Sequence, residues 1–305
     1  MRLIQNDFRT VLENVPIENV CFQEPIKNHT YTKLGGISDL FLTPSSYDEI
    51  QFIMRTAKQY NIPITLLGKG SNLIVRDGGI RGITLSLTKM KSIHVSSDYV
   101  IAQGGAAIID VSEKALEHAL SGLEFACGIP GTVGGALYMN AGAYGGQISD
   151  VLEKTTILTE NGEIVTLSKD EFGFGYRESI FRKHEYVILE ARFKLEVDAP
   201  DTIRNKMSEF TLARNSKQPL EYPSCGSVFK RPPGYYGGKL IQDAGLQGTR
   251  IGGAEVSKKH AGFIVNIDQA TAKDYIDLIS YVQQTIKEKF DVELETEVII
   301  LGEDN

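Results

Sequence analysis

The sequence predicts an α+β fold in which short strands alternate with a few amphipathic helices and sheet dominates the middle third. Three observations predict it. Short β-rich pieces recur between turn signals from residue 64 to 109 and again from 155 to 197. Helical apolar spacing is confined to a few stretches, near 45–60, 110–120, 201–214 and 271–286. A chain of 305 residues holds roughly two domains, or three, at about 150 residues each. Composition narrows the class further. No run approaches the ~18 apolar residues that cross a bilayer, and a net charge of −7 argues against a general nucleic-acid binder, which needs a basic face. The opening MRLIQNDFRT lacks the basic, apolar and small-residue segments of a secretory signal, so the expected compartment is the cytoplasm. Cys21, Cys127 and Cys225 are far apart and outside any CxxC, which suggests buried thiols rather than disulfides or zinc ligands. The five histidines form no metal-like cluster.

The elements follow in chain order. Ser45 can cap a helix carrying Ile50, Ile53, Met54 and Ala57, ended by Asn61 and Pro63. The run Ile64 to Leu67, the turn GKGSN and the run Leu73 to Val75 read as strand, glycine turn, strand. GITLSL, SIHVSS and YVIAQGG continue the sheet, and a capped helix from about Asp110 to Leu120 is closed by Gly122. Strands are expected around Thr155 to Leu158, Ile164 to Leu167 and Val187 to Val197, then a helix over 201–214 with Ile203, Met207 and Phe210 on one face. After the Pro- and Gly-rich loop QPLEYPSCGSVFKRPPGYYGG come a strand in HAGFIVNI, a helix begun by Thr271 and Asp274, and VELETEVII, which alternates like a strand. Pattern shifts put boundaries near 88 and 200.

Glycine carries the first functional signal. Eight glycines fall between residues 122 and 146, and glycine is used where backbone takes positive φ or comes close to a ligand. Neither a P-loop GxxxxGK[ST] nor a GxGxxG running from strand into helix is present. Gly68-Lys69-Gly70-Ser71-Asn72 follows a strand and returns to strand, so its amides could form an anion-binding nest, or the segment could be a plain tight hairpin. Its pairing with Gly128-Ile129-Pro130-Gly131-Thr132-Val133-Gly134-Gly135 gives two phosphate-sized cradles, as a dinucleotide would need.

Four strings, LLGKGSNLIV, GIPGTVGGALYMNAGAYG, FGYRESIF and SCGSVFKRP, resemble in that order the UDP-N-acetylenolpyruvoylglucosamine reductases, and the resemblance spans nearly the whole chain. It implies a vanillyl-alcohol-oxidase-like (PCMH-type) fold, with two FAD-binding lobes (1–88, joined by a C-terminal strand 291–305, and 89–200) and a C-terminal α+β domain for the UDP-sugar (201–290). It also implies non-covalent FAD reduced by NADPH, UDP-N-acetylglucosamine enolpyruvate as substrate, and no obligate protein partner. Carried over residue by residue, Gly68, Gly70, Ser71 and Asn72 would hold the FAD diphosphate. Gly128, Ile129, Gly131, Thr132 and Gly135 would line the flavin, with Asn140 and Gly142 extending that wall. HTYTKLGG, with Thr32, Gly35 and Gly36, resembles the family's opening segment. Arg231 stands where the family often has asparagine, and the chain resembles the compact branch without an inserted tyrosine loop.

The implied reaction adds hydride to the terminal methylene of an enolpyruvyl group and a proton to the carbon bearing the carboxylate. Charge grows on that carboxylate, and fixed donors must meet it. Arg177 suits the task because its planar fork binds carboxylate at two points and stays charged; an ion pair with Glu178 or Glu171 is the plainer role. Ser227 matches the family's proton donor, with Lys230 placed to steady the alkoxide, although an ordinary loop serine has the same local sequence. Glu297, matching the family's last motif, would share a proton with the substrate carboxylate and act as a hydrogen-bond donor; solvent exposure is the alternative for it, Glu293 and Glu295. Between 204 and 239 stand Arg204, Lys206, Arg214, Lys217, Lys230, Arg231 and Lys239 against only Glu209 and Glu221, a basic zone suited to a diphosphate, so Arg214, Lys217 and Lys230 are candidate substrate ligands. Another FAD-dependent oxidase of the same fold, or a flavin-binding module without catalysis, are the competing readings.

Overall fold

Strand-forming and helix-forming stretches sort into two units in the computed structural model, which describes residues 20–304. One unit takes Asp39–Gly68 and Gly82–Met207 with the segment ending at Glu24; the other takes Pro25–Ser38, Lys69–Arg81 and the chain from Ser208. No described helix is long and apolar enough to cross a membrane.

In the first unit the helix Tyr47–Gln59 turns Ile50, Ile53 and Ala57 inward. Its cap is Ser46, whose hydroxyl accepts from the Glu49 amide at 3.2 Å. Ser45, the expected cap, instead binds the Glu49 carboxylate through its own amide and hydroxyl, so the adjacent serines divide the capping work. A four-stranded sheet runs in the order Val20–Pro25, Ile37–Leu42, Ile80–Ser86, Ile64–Leu67. Ile64–Leu67 pairs in parallel with Ile80–Ser86, and Leu73–Val75 pairs with Ile299–Leu301. The glycine turn between 67 and 73 is therefore not a hairpin, because the strands on its two sides pair with different partners.

A five-stranded antiparallel sheet follows, ordered Ile164–Ser168, Leu152–Leu158, Val187–Lys194, Tyr99–Gln103, Ile93–Ser96. Its core gathers Val100, Ala102, Ile108, Val111, Leu137, Phe172, Phe181 and Phe193. Each large apolar side chain buried this way contributes about 1.5–3 kcal/mol. The helix expected from Asp110 begins earlier and spans Ile108–Glu117, with no side-chain cap at Ala107. The glycine-rich stretch contains an unexpected short helix, Val133–Tyr138, capped by Thr132. The helix expected over 201–214 extends to Pro200–Lys217.

In the second unit a sheet ordered Ser224–Ser227, Phe263–Asn266, Ala254–Val256, Arg250–Ile251 backs onto the helix Ala272–Phe290. Thr271 and Asp274 form the full capping box, and Asp77 accepts from the Ala272 and Lys273 amides at 2.9 and 3.0 Å. Four orphan amides open every helix, and here side chains take several of them. Tyr275, Leu278, Ile279, Val282 and Ile286 face the core, and the Tyr275 hydroxyl donates to the Ile264 carbonyl at 2.9 Å. The loop after Ser227 holds a second unforeseen helix, Gly237–Asp243. VELETEVII keeps its alternation, with Leu294 and Val298 buried, yet only Ile299–Leu301 is ladder strand. The cysteines also differ from expectation: Cys225 is buried, Cys127 half-buried and Cys21 exposed.

Candidate active site

The glycine turn is built by crowding. A Cβ on Gly68 would lie 2.6 Å from Thr132 Oγ1, and one on Gly70, at φ +62°, would lie 2.4 Å from the His29 carbonyl oxygen. Real Cβ atoms do not approach so closely, so glycine alone fits both positions. Gly68 thus lies against Thr132 of the second glycine stretch, both within the first unit. The Gly70 carbonyl accepts from the Tyr31 amide at 3.1 Å. Ser71 follows in the turn, and Asn72 reaches onward: its Nδ2 donates to the Glu297 carbonyl at 3.2 Å while its own carbonyl accepts from Ile299 N at 3.1 Å.

The second stretch is more ordered than a loop. Ile129 N donates to Ala126 O, Gly131 N to Ile129 O, and Gly131 O accepts from Ile108 N, so Gly128 to Gly131 is a pinned run of backbone. Thr132 is buried, and its hydroxyl accepts from Gly135 N at 3.2 Å. Gly135 gives the test of fit for a flavin dinucleotide. It lies in a helix at an unstrained φ and is exposed, and a Cβ there would meet nothing nearer than Thr132 Oγ1 at 3.4 Å. Glycine in a helix costs about 0.5–1 kcal/mol relative to alanine, and the polypeptide's own packing gives no return for it. A cradle that a methyl group would narrow does, and the isoalloxazine wall implied by the resemblance is such a cradle.

Asn140, expected to extend that wall, is held chiefly by its side chain. It is 2% exposed at φ +42°, and its side chain is turned inward: Nδ2 donates to the Gly175 carbonyl at 3.0 Å and Oδ1 accepts from Ser149 N at 3.0 Å. Both polar atoms of its side-chain amide thus bond to other parts of the protein. Gly142 pairs in a two-residue ribbon with Gln147, and its carbonyl accepts from Arg177 Nη2 at 3.4 Å.

Arg177 lies at the tip of a tight turn closed by reciprocal Gly175–Glu178 backbone bonds of 3.1 and 3.2 Å. Its φ of +58° is left-handed, its guanidinium is 5.2 Å from the centre of the Tyr176 ring, and its carbonyl accepts from Arg182 Nη1 at 2.6 Å. Glu171, one suggested ion partner, caps Ser168 instead.

Ser227, Lys230 and Glu297 come together in the second unit. The chain from 228 to 230 runs antiparallel to 295–297: Glu297 N donates to Val228 O and Lys230 N to Glu295 O, both at 2.8 Å, with a bridge at Phe229 and Thr296. Ser227 is exposed and follows Gly226 at φ +77°. Lys230 Nζ pairs with the Glu295 carboxylate at 2.8 Å. Glu297 is half-buried, unlike the exposed Glu293 and Glu295. Arg214 and Lys217 occupy the last turn of Pro200–Lys217, one half-buried and one exposed. Arg231, which stands where the family often has asparagine, stacks its guanidinium 4.0 Å from the Tyr236 ring centre; the sequence gives no sign of the role of Ser179, fully buried with its hydroxyl donating to the Tyr138 carbonyl at 2.7 Å. The serine was visible in FGYRESIF, but nothing in that string points to its distant partner.

Comparison with known proteins places this geometry among relatives. Residues 218–301 match the family described as UDP-N-acetylenolpyruvoylglucosamine reductase, C-terminal domain, and residues 38–168 match the family described as FAD binding domain. A UDP-N-acetylenolpyruvoylglucosamine reductase from Shouchella clausii is 63% identical over 92% of this chain and 90% of its own. A UDP-N-acetylenolpyruvoylglucosamine reductase 2 from Bacillus cereus is 59% identical over 99% of both. Among solved structures, the UDP-N-acetylenolpyruvylglucosamine reductase of Thermus caldophilus superimposes with a TM-score of 0.80 at 31% identity, over 92% of this chain and 98% of its own.

Proposed function

This chain belongs to the UDP-N-acetylenolpyruvoylglucosamine reductases, and from that premise we propose how its own residues divide the reaction. The protein is a flavin-dependent reductase with the PCMH-type FAD-binding fold; it converts UDP-N-acetylglucosamine enolpyruvate to UDP-N-acetylmuramate with NADPH, a step in peptidoglycan precursor synthesis. When bound, FAD supplies the hydride that adds to the terminal methylene carbon of the enolpyruvyl group.

Gly68, Gly70, Ser71 and Asn72 hold the diphosphate, and Gly128, Ile129, Gly131, Thr132, Gly135 and Gly142 form the flavin wall. Arg177 binds the substrate carboxylate at two points, where negative charge grows as hydride adds. Ser227 Oγ–H gives its proton to the carbon bearing that carboxylate, and Lys230, three residues on, steadies the resulting alkoxide. Glu297 donates a hydrogen bond to the same carboxylate, while Lys230, Arg214 and Lys217 serve the diphosphate of the UDP-sugar. The functional division follows 1–88 with 291–305 and 89–200 as FAD-binding lobes, and 201–290 as the UDP-sugar domain. Free thiols at Cys21, Cys127 and Cys225 support a reducing compartment, the cytoplasm.

The observation that carries these roles is the backbone bond between Glu297 and Val228 at 2.8 Å, which brings two residues 70 positions apart, proton donor and acid, onto adjoining segments. The test is NADPH oxidation by the purified yellow protein with and without UDP-N-acetylglucosamine enolpyruvate. Oxidation that follows the substrate and yields UDP-N-acetylmuramate is expected. Oxidation that proceeds equally without it, with oxygen as acceptor, would overturn the reading.

A further inference from the structure

We infer that Asn140 is a positioning residue for Arg177: its side-chain amide, bonded to the Gly175 carbonyl, fixes the turn that presents the guanidinium. The inference rests on the role proposed for Arg177 and adds the means by which that side chain is aimed.

Arg177 is hard to hold where it is. An L-residue other than glycine, asparagine or aspartate rarely adopts φ near +58°, and such a conformation persists only where the surroundings impose it. Four ties impose it here. Asn140 Nδ2 donates to Gly175 O at 3.0 Å, at the base of the turn. Buried Ser179 donates to Tyr138 O at 2.7 Å on the far side. Arg177 Nη2 donates to Gly142 O at 3.4 Å, and Arg182 Nη1 donates to the Arg177 carbonyl at 2.6 Å while its guanidinium lies 5.7 Å from the Tyr138 ring centre. The first three bonds, and the stacking of Arg182 on Tyr138, join the segment 138–142 to the segment 175–182, while the Arg182–Arg177 bond braces the turn from within.

Asn140 is the member placed to transmit position. Its left-handed backbone, φ +42°, suits asparagine and ends the helix Val133–Tyr138. Its Oδ1 is spent on Ser149 N at 3.0 Å, and Nδ2 also lies 3.4 Å from Gln147 Oε1. With the carbonyl oxygen fixed by Ser149, the amide cannot flip, and Nδ2 must face Gly175. A carboxylate in its place would keep the Ser149 bond and the backbone conformation but set an oxygen against the Gly175 carbonyl.

The test is a double-mutant cycle on the flavin-loaded protein, reading kcat and KM for the enolpyruvyl substrate, bound flavin by absorbance, and the melting temperature. Asn140→Asp should lower kcat/KM about tenfold, partly through a raised KM, while flavin stays bound; Asn140→Gly, which suits the left-handed φ and adds no charge, should do the same. In the Arg177→Ala background neither should change kcat/KM more than about twofold, because residues that act through one another are not additive. Full multiplicative loss in that background, loss of flavin as the main effect, or no effect in the native background would each overturn the inference. If Arg177→Ala alone leaves kcat/KM unchanged, the reading of Arg177 fails instead, and the cycle distinguishes the two failures.

Discussion

Arg177 shows how a single residue can be kept against its backbone's preference. Glycine would take φ +58° without strain, whereas an L side chain there costs on the order of 1 kcal/mol. Arg177→Gly is therefore expected to leave thermal stability unchanged or slightly higher while turnover falls on the order of 10²-fold, as when a transition-state donor is lost. Melting curves and steady-state NADPH oxidation on the same preparation check both halves, and a stability loss matching the activity loss would make the arginine structural. Neither the left-handed φ nor the Asn140 tether could be read from FGYRESIF, because both depend on a segment about 35 positions away. What could be read is the proposal itself, carried by the resemblance: a guanidinium for a carboxylate, and Ser227 beside a glycine.

At the scale of elements, the proposed flavin wall combines helix and turn. Gly135→Ala is expected to keep or slightly raise stability, since alanine is the better helix former by about 0.5–1 kcal/mol, and to weaken flavin binding at least tenfold by narrowing the cradle. Flavin titration followed by fluorescence measures this; unchanged affinity would remove Gly135 from the wall. Gly68→Ala should be more severe, because its Cβ meets Thr132 at 2.6 Å. The capping box at Thr271 was legible because its spacing is local and chemical, and Thr271→Ala should cost about 1 kcal/mol, read by urea unfolding. The short helix Val133–Tyr138 was not legible, since two glycines in its first turn argue against helix and the Thr132 cap decides otherwise. VELETEVII alternates because one side packs on the core, and alternation alone does not show that only its end is regular strand while its middle holds a single bridge.

For the molecule as a whole, pH tests the second unit's core. Burial pushes the Cys225 thiol up to about 12, against roughly 8.5 in an unfolded chain. Between those values the unfolded state loses a proton that the folded state keeps, so stability falls as pH rises above about 8.5, by about 1.4 kcal/mol per pH unit for this group. Buried Tyr275, raised by desolvation first and Cys225 second, adds to the fall above pH ~10. Unfolding curves from pH 8 to 11 should show this slope, and Cys225→Ala should reduce it; an unchanged slope in the variant would assign it elsewhere. The family was legible in the sequence because four unusual strings carry it in order. Burial was expected for all three cysteines and holds for Cys225, whereas the exposure of Cys21 was not legible, since tertiary packing alone sorts identical residues.

The central claim is that Ser227 delivers a proton to the substrate and takes no part in loading hydride, and separating the two half-reactions tests it most directly. In rapid mixing without oxygen, Ser227→Ala should let NADPH bleach the bound flavin within about twofold of the native rate, while reoxidation by UDP-N-acetylglucosamine enolpyruvate slows on the order of 10²-fold or more. Reoxidation at the native rate, or an equal slowing of both halves, would contradict the account.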